Sequence, residues 1–188
     1  MPEARTPIEA AGKSLADLAA AIEGRGGPPP VDRWNPAHCG HSDMRIARDG
    51  SWFYRGSPIN RPAMVRLFAS VLRREPDGSH VLVTPVEKLT IEVDRTAFRA
   101  TQMTMAGEGS ERRIGLTLDS GDALIVGERH PLTVAELDDG PSPRVAVRFG
   151  LEAELERPLY YELAEIALAE GHDPPGIWSD GVFFPLIP

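Results

Sequence analysis

One ordered series of signals occurs twice in this chain, and it constrains the fold more than any other feature. The series is a strand, a helix that opens with Arg-Pro, and an apolar strand that opens with Asp-Gly and ends in proline. The helices are RPAMVRLFASVL at 61–72 and RPLYYELAEIAL at 157–168, and the strands are DGSHVLVTP at 77–85 and DGVFFPLIP at 180–188. Short matches also arise by chance, but the repeated order favours a tandem duplication of a small helix-plus-strand unit.

Frequent glycine and proline predict an α+β fold and argue against a helical bundle. The 188 residues include 18 Gly and 18 Pro, which divide the chain into short strands and turns. Helices are predicted at 62–74 and 158–169, where apolar residues recur at helical spacing. Asp49-Gly50 predicts a hairpin between strands at 44–46 and 51–55. Further strands are predicted at 79–84, 90–93, 98–105, 112–118, 123–126, 144–149 and 181–187.

The predicted organisation has three parts. Residues 1–33 hold an N-terminal helix at 14–22 and a proline-rich linker, and residues 34–85 form an N-terminal α+β unit. Residues 86–188 form a C-terminal β-rich unit closed by a helix. Three consecutive prolines at 28–30 favour an extended path, so the first helix is expected to dock on the body of the protein or on a partner chain.

Charge and composition exclude several classes of function. The net charge of −8, from 20 Lys+Arg and 28 Asp+Glu, argues against a broad nucleic-acid surface, because phosphate contacts need a basic excess. The single cysteine, Cys39, excludes an intrachain disulfide. We expect a cytoplasmic protein without a membrane span, because neither a signal-peptide pattern nor an apolar run of roughly 20 residues occurs. No phosphate loop or dinucleotide fingerprint occurs, and no cofactor is expected.

The stretch HCGHSD at 38–43 offers two imidazoles, one thiol and one carboxylate, all of which are metal-ligating groups. Ligands packed this closely on one loop rarely point at a single ion, so no metal site is expected there. One alternative is a loop with solvated polar side chains around a buried cysteine. Another is a Cys39 thiol made reactive by the neighbouring imidazoles.

Five residues are candidates for ligand contact. Trp52 lies on a predicted strand, where its ring faces either a core or a ligand. Arg61 stands at a helix start, where a cation opposes the helix dipole, so it predicts a bound anion, with a structural salt bridge as the favoured alternative. Thr84, Glu87 and Lys88 follow a strand directly, and they predict either a polar site or a turn with a solvated charge pair.

An ordered set of short motifs gives the chain a resemblance to a known bacterial family. The motifs are Trp34-x-Pro36, Cys39-Gly40, Asp49-Gly50-x-Trp52, Gly56-x-Pro58-Ile59-x-Arg61, Val65, Leu67-Phe68 and Thr84-Pro85-x-Glu87. From about Trp34 to the C-terminus the sequence resembles the proteobacterial family called domain of unknown function 1285.

The resemblance implies a duplicated α+β core whose C-terminal half is similar to the pleckstrin-homology-like fold. It also implies a ligand site between the two halves, with a nucleotide-like molecule as the candidate ligand, and a link to signalling. If such a site exists, the matched positions are Trp52, Arg61, Thr84, Glu87 and Lys88. Their assignment to ligand contact is our inference.

Three functional hypotheses follow. The first is a non-enzymatic binding or signalling module that holds a small anionic, nucleotide-like ligand. The second is a protein–protein adaptor without a small ligand, in which the N-terminal helix is the contact element and self-association is one form of partnership. The third is an enzyme, for which Asp49, Glu87, His38 and His41 are candidate acid–base groups, although no nucleophile–base pair stands at a recognisable spacing.

Overall fold

Strands dominate the computed structural model, which describes residues 28–188. Within that range the chain forms fourteen strands, two α-helices and two short 3-10 helices. It divides into two units, Met1–Asp94 and Arg95–Pro188, and each has its own six-stranded sheet. The fold is therefore mostly β, with fewer helical residues than the predicted α+β class suggests.

From residue 28 onwards, the first unit contains a 3-10 turn at Val31–Arg33, followed by six strands and one helix. The strands are β1 (His38–Ile46), β2 (Trp52–Tyr54), β3 (Ser57–Pro58), β4 (Leu72–Arg74), β5 (His80–Val83) and β6 (Lys88–Val93), and the helix α1 (Pro62–Ser70) lies between β3 and β4.

The second unit has six strands in one sheet, then a helix and a separate hairpin. The sheet strands are β7 (Phe98–Ala106), β8 (Arg113–Leu118), β9 (Ala123–Ile125), β10 (Leu132–Leu137), β11 (Gly140–Arg148) and β12 (Leu151–Leu155). The helix is α2 (Arg157–Glu170), and the hairpin consists of β13 (Gly176–Ser179) and β14 (Val182–Pro185).

The two sheets have the same strand order. In the first unit the order is β3-β2-β1-β6-β5-β4, and in the second it is β9-β8-β7-β12-β11-β10. Numbered within each unit, both read 3-2-1-6-5-4. In each, the first and last strands pair in parallel at the centre, whereas all other neighbours are antiparallel. The predicted duplication is confirmed at the level of the sheet.

The helices do not occupy equivalent places in the repeat. Helix α1 connects the third and fourth strands of its unit, whereas α2 follows the sixth strand of the other. The sequence match of 61–72 with 157–168 therefore joins non-equivalent elements. Both segments place proline in the first turn of a helix, where its missing N–H costs nothing, so the shared Arg-Pro start reflects helix initiation.

The core of the first unit lies between α1 and one face of its sheet. Met44, Ile46 and Trp52 are buried on that face, and the ring of Trp52 stacks on Phe68 of α1 with centroids 6.3 Å apart. Arg45 alternates with Met44 and Ile46 and is exposed, so the opposite face of β1 is polar.

The core of the second unit contains side chains from the sheet, from α2 and from the hairpin. Phe98, Ile114 and Leu116 are buried on the strands, Leu163 on α2 and Ile177 on β13. Helix α2 contacts β13 and β7. This unit therefore has a buried interior of its own.

Several predicted elements are confirmed and others are corrected. The Asp49-Gly50 hairpin forms as predicted, with Met44 opposite Tyr54, and α2 spans its predicted range. The helix predicted at 62–74 ends at Ser70, because Leu72 pairs with Leu82 in the sheet. The helix predicted at 14–22 lies outside the described residues. The pleckstrin-like similarity and the three-part division stay predictions.

Candidate functional site

A cleft of about 570 Å³ opens on the polar face of the first sheet. Such a volume is within the range of small-molecule sites. Its polar lining residues are His38, Glu75, Asp77, Ser79, Lys88 and Thr90. They come from β1, from β6 and from the turn between β4 and β5, so the cleft lies wholly within one unit.

The strand register brings these side chains together. Lys88 and Thr90 are two residues apart on β6 and therefore point to the same face. His38 on β1 is in register with Lys88, and Val81 on β5 is opposite Thr90. The hairpin turn that carries Asp77 comes directly before β5, and Asp77 lines the same cleft.

A cluster of two cations and one carboxylate lies at the cleft, where Glu75 and Lys88 contribute to the lining and Arg73 stands behind them. The Arg73 guanidinium lies 2.6 Å from Oε1 of Glu75, and the Lys88 ammonium lies 3.4 Å from Oε2 of the same carboxylate. Arg73 also donates two hydrogen bonds of 2.7 Å, to the carbonyl oxygens of Val31 and Trp34. Arg73 is thus held in place, and Lys88 is the less tightly bound partner of Glu75.

Asp77 also lines the cleft. Its Oδ1 accepts hydrogen bonds from the Ser79 hydroxyl at 2.6 Å and from the Ser79 backbone N–H at 2.9 Å. These two bonds, with the hydroxyl the stronger influence, hold the pKa of Asp77 below its usual value. The carboxylate is therefore ionised at neutral pH. Within residues 28–188 both of its hydrogen bonds go to Oδ1, which leaves Oδ2 open.

His38 and Thr90 form a polar pair in the cleft. The Nε2 atom of His38 lies 2.7 Å from Oγ1 of Thr90, within hydrogen-bond distance. With an ammonium, two carboxylates, an imidazole and two hydroxyls, the cleft offers donors and acceptors for a polar ligand.

The structure places the five predicted contact residues in four different settings. Trp52 is 5% exposed and packs in the core against Phe68. Arg61 is exposed at the start of α1, and within residues 28–188 its guanidinium has no hydrogen bond or ion pair. Lys88 alone of the five lines the cleft.

Thr84 and Glu87 shape the turn that leads into Lys88. The buried Thr84 hydroxyl accepts hydrogen bonds from the N–H groups of Glu87, at 3.1 Å, and Val86, at 3.4 Å. The Thr84 N–H donates to the Glu87 carbonyl at 2.9 Å. Burial raises the pKa of the Glu87 carboxyl. The turn fixes where β6 begins and hence where the Lys88 side chain points.

The imidazoles and the thiol at 38–43 have separate partners. His41 Nδ1 accepts the Asp43 N–H at 2.9 Å, and the exposed Cys39 thiol donates to the Ala37 carbonyl at 3.2 Å. Among the described residues no group of three His, Cys, Asp or Glu side chains is arranged to hold a metal ion.

Most of the cleft residues could not be identified from the sequence. Glu75, Asp77, Ser79 and Thr90 belong to an ordinary hairpin turn and an ordinary strand. The only local signal is Asp77-Gly78, which predicts a turn but no site. The antiparallel pairing of β5 with β6 brings these four residues together, and the parallel pairing of β1 with β6 adds His38, which is distant in the chain.

Comparisons with known proteins agree on one family. Residues 29–96 match the domain described as "Domain of unknown function (DUF1285), N-terminal domain", and residues 97–186 match "Protein of unknown function (DUF1285), C-terminal domain". No curated protein matches the sequence. Within residues 28–188, none of the helices is sufficiently long and apolar to span a membrane.

Two solved structures are similar over most of their own length. One is a DUF1285 family protein from Silicibacter pomeroyi DSS-3, which is 47% identical with a TM-score of 0.82 over 92% of this chain and 94% of that one. The other, a DUF1285 family protein from Shewanella baltica OS155, is 25% identical with a TM-score of 0.50 over 65% of this chain and 90% of that one. Both domain matches and the 47% identity show that this chain belongs to the DUF1285 family.

Proposed function

We propose that this protein is a non-enzymatic binding module whose small ligand lies in the cleft of the first unit, with an anionic group against Lys88. The observation that supports this is the charge of the Arg73, Glu75 and Lys88 cluster. Two cations share one carboxylate, so this cluster by itself carries one surplus positive charge, and the ionised Asp77 of the same cleft lies beyond ion-pair distance of Lys88.

Lys88 is suited to contact such an anion. An ammonium has three N–H donors, and Lys88 uses one of them in a 3.4 Å contact with Glu75. Its side chain is 15% exposed, so an ion pair there is less screened by water than one on an open surface. Lys88 is also one of only two lysines in the sequence, the other being Lys13.

The proposal assigns different roles to the other predicted residues. Thr84 and Glu87 hold the turn that positions Lys88, and Trp52 supports the sheet from the opposite face. A small, reversibly bound ligand fits the signalling role that the family resemblance implies and the cytoplasmic location expected from the sequence. A nucleotide-like ligand is one candidate, with its phosphate at Lys88.

A thermal-shift screen of the full chain tests the proposal. The probes are inorganic phosphate, adenosine 5′-monophosphate and simple carboxylates such as hexanoate. A ligand at a hundred times its Kd adds roughly 2.7 kcal/mol to the free energy of unfolding, enough to raise the Tm by a few degrees. The variant Lys88→Met should abolish the shift, whereas Arg66→Met, on the exposed side of α1, should leave it unchanged.

Chemical protection gives a second readout. Reductive methylation of the lysines, followed by mass spectrometry, should slow at Lys88 when the bound probe is present, with Lys13 as the control for reagent strength. If no probe raises the Tm, or if the Tm still rises in Lys88→Met, the proposal is contradicted and the adaptor hypothesis is favoured.

A further inference from the structure

The two repeats place an Asp-Gly turn at the same position of the sheet. Asp77-Gly78 connects the fourth and fifth strands of the first repeat, and Asp139-Gly140 connects those of the second. Both glycines have positive φ, +88° and +109°. Asp77 and Asp139 therefore occupy equivalent positions in the two repeats, and the groups around their carboxylates can be compared.

In the second repeat an arginine of the chain meets this turn. A terminal nitrogen of Arg95 lies 3.1 Å from Oδ1 and 3.0 Å from Oδ2 of Asp139. The Nε atom of Arg95 lies 3.4 Å from a Glu154 carboxylate oxygen. Arg95 precedes β7, the first strand of its repeat, so the segment before the first strand supplies a cation to the turn carboxylate.

In the first repeat no cation of the described chain contacts the turn carboxylate itself. The Arg74 Nε donates to the Gly78 carbonyl of this turn at 3.3 Å. After the hydrogen bonds from Ser79, Lys88 also lowers the pKa of Asp77, but only from beyond ion-pair distance. His38, which begins the first strand, lines the cleft but pairs with Thr90. Within residues 28–188 no Lys, Arg or His lies within ion-pair distance of Asp77. The space beside Asp77 is instead the open cleft of about 570 Å³.

We propose that the ligand itself supplies this missing cation, so that the cleft binds a small zwitterion, with its ammonium or guanidinium group on Asp77 and its carboxylate or phosphate on Lys88. This inference rests on the proposed function, because it adds a second contact to the same cleft. The charges agree with it. Arg73, Glu75, Lys88 and Asp77 together carry two positive and two negative charges, so a ligand with one charge of each sign leaves every group partnered.

The preference for a zwitterion also follows from the position of Asp77. An ionised Asp77 repels a ligand that carries only negative charge, and it attracts one that presents a cation to Oδ2. A simple anion would gain the contact with Lys88 but would lie beside an unpaired carboxylate. The two ends of the ligand are therefore recognised by different residues, so replacing Asp77 or Lys88 alone removes the contact to one end only.

A series of ω-amino carboxylates, from glycine to 6-aminohexanoate, tests the proposal on the full chain by calorimetry. Each is compared with the matched carboxylate, acetate to hexanoate, and with the matched alkylamine. At the best chain length the amino carboxylate should bind about three- to tenfold more tightly than the carboxylate alone. The chain length at the optimum measures the separation of the two charged contacts.

Asp77→Asn is the decisive variant. An asparagine oxygen can still accept the hydrogen bonds from Ser79, so the turn is kept while the charge is removed. Asp77→Asn should abolish the advantage of the amino group and leave carboxylate binding equal or stronger. Asp49→Asn is the matched control, since Asp49 accepts a 2.9 Å hydrogen bond from the Ser51 N–H in another Asp-Gly turn of the same unit.

The outcomes separate the two proposals. An anion that binds through Lys88 with an affinity unchanged by Asp77→Asn would overturn the zwitterion but support the proposed function. Equal binding of hexanoate and the best amino carboxylate by the wild-type protein would also overturn it. Binding of the amino carboxylate that survives Lys88→Met but not Asp77→Asn would contradict the anionic half and hence the proposed function.

Discussion

At the scale of single residues, Thr84 shows how one hydroxyl positions the proposed site. Its oxygen accepts two backbone N–H groups of the turn between β5 and β6, and its side chain is buried. Thr84→Val removes this oxygen, so the N–H groups of Val86 and Glu87 lose their hydrogen-bond acceptor. We expect a loss of about 1–2 kcal/mol in the free energy of unfolding, measured by urea denaturation.

Thr84→Ser is the matched control, because it keeps the acceptor and removes only a methyl group. It should be clearly more stable than Thr84→Val. If the two variants lose equal stability, the methyl packing and not the hydroxyl holds the turn, and the positioning role of Thr84 is wrong.

His80 predicts a dependence of stability on pH. It lies half-buried on β5 opposite Arg74, and burial, followed by repulsion from that guanidinium, lowers its pKa from 6.5 to about 4. Between these two values the unfolded chain binds a proton that the folded chain does not. The contribution of His80 is therefore complete above pH 6.5 and is lost as the pH falls towards 4.

The effect can be isolated by substitution. Because His80 is partly exposed and solvent screens it, the loss between pH 7.5 and pH 5 should be on the order of 1 kcal/mol. Urea denaturation at the two pH values measures it. In His80→Gln the difference between the two pH values should shrink by that amount, and an unchanged difference would show that other groups cause it.

At the scale of elements, the turn between β4 and β5 should be sensitive to its glycine. Gly78 has φ of +88°, which a residue with a Cβ rarely adopts, although the nearest heavy atom to an added Cβ would be 3.7 Å away. Backbone strain and not a clash therefore sets the cost. Gly78→Ala should destabilise the protein by about 1–2 kcal/mol in urea denaturation.

Gly78→Asn should lose less stability, because asparagine tolerates the left-handed region better than alanine. Equal losses in the two variants would indicate that the turn changes conformation on substitution. Ligand binding by Gly78→Asn would then show whether Asp77 keeps its place beside the cleft.

The elements also show why part of the fold could be predicted and part could not. The hairpin at Asp49-Gly50 and the helix α2 have local signals, a turn dipeptide and an apolar helical spacing. Strands β10 (LTVAEL) and β12 (LEAEL) were not predicted, because leucine, alanine and glutamate also favour helices. Their strand state comes from pairing with β11, which lies between them in the sheet.

The candidate site was predictable only where its chemistry is local. Lys88 follows a strand end, and the sequence predicts it as a contact residue on that basis. Glu75 and Asp77 become part of the cleft only because the sheet brings their turn close to β1 and β6. Trp52 illustrates the opposite case. Alternation places its ring on one of two faces, and only the packing of α1 decides that this face is the core.

At the scale of the whole molecule, each unit contains the sheet and core that a folded domain needs. In residues 95–188 the six strands, α2 and the hairpin bury Phe98, Leu163 and Ile177 among themselves. We expect this fragment, produced alone, to unfold in one cooperative transition on heating, followed by circular dichroism. A gradual, featureless loss of signal would mean that its core is incomplete.

The parallel pair at the centre of each sheet also has a consequence for how quickly the protein folds. His38 pairs with Lys88, fifty positions further along the chain, and Phe98 pairs with Ala153, fifty-five positions further. The outer strands meet their neighbours through short turns, but each sheet is complete only when its own two ends come together, and closing so long a loop costs chain entropy. Such high contact order places folding in the range of about milliseconds to seconds, which stopped-flow fluorescence of the tryptophans would detect. Each repeat is therefore expected to form as two separate three-stranded halves that join last along the central parallel pair, which in the first repeat borders the proposed ligand cleft.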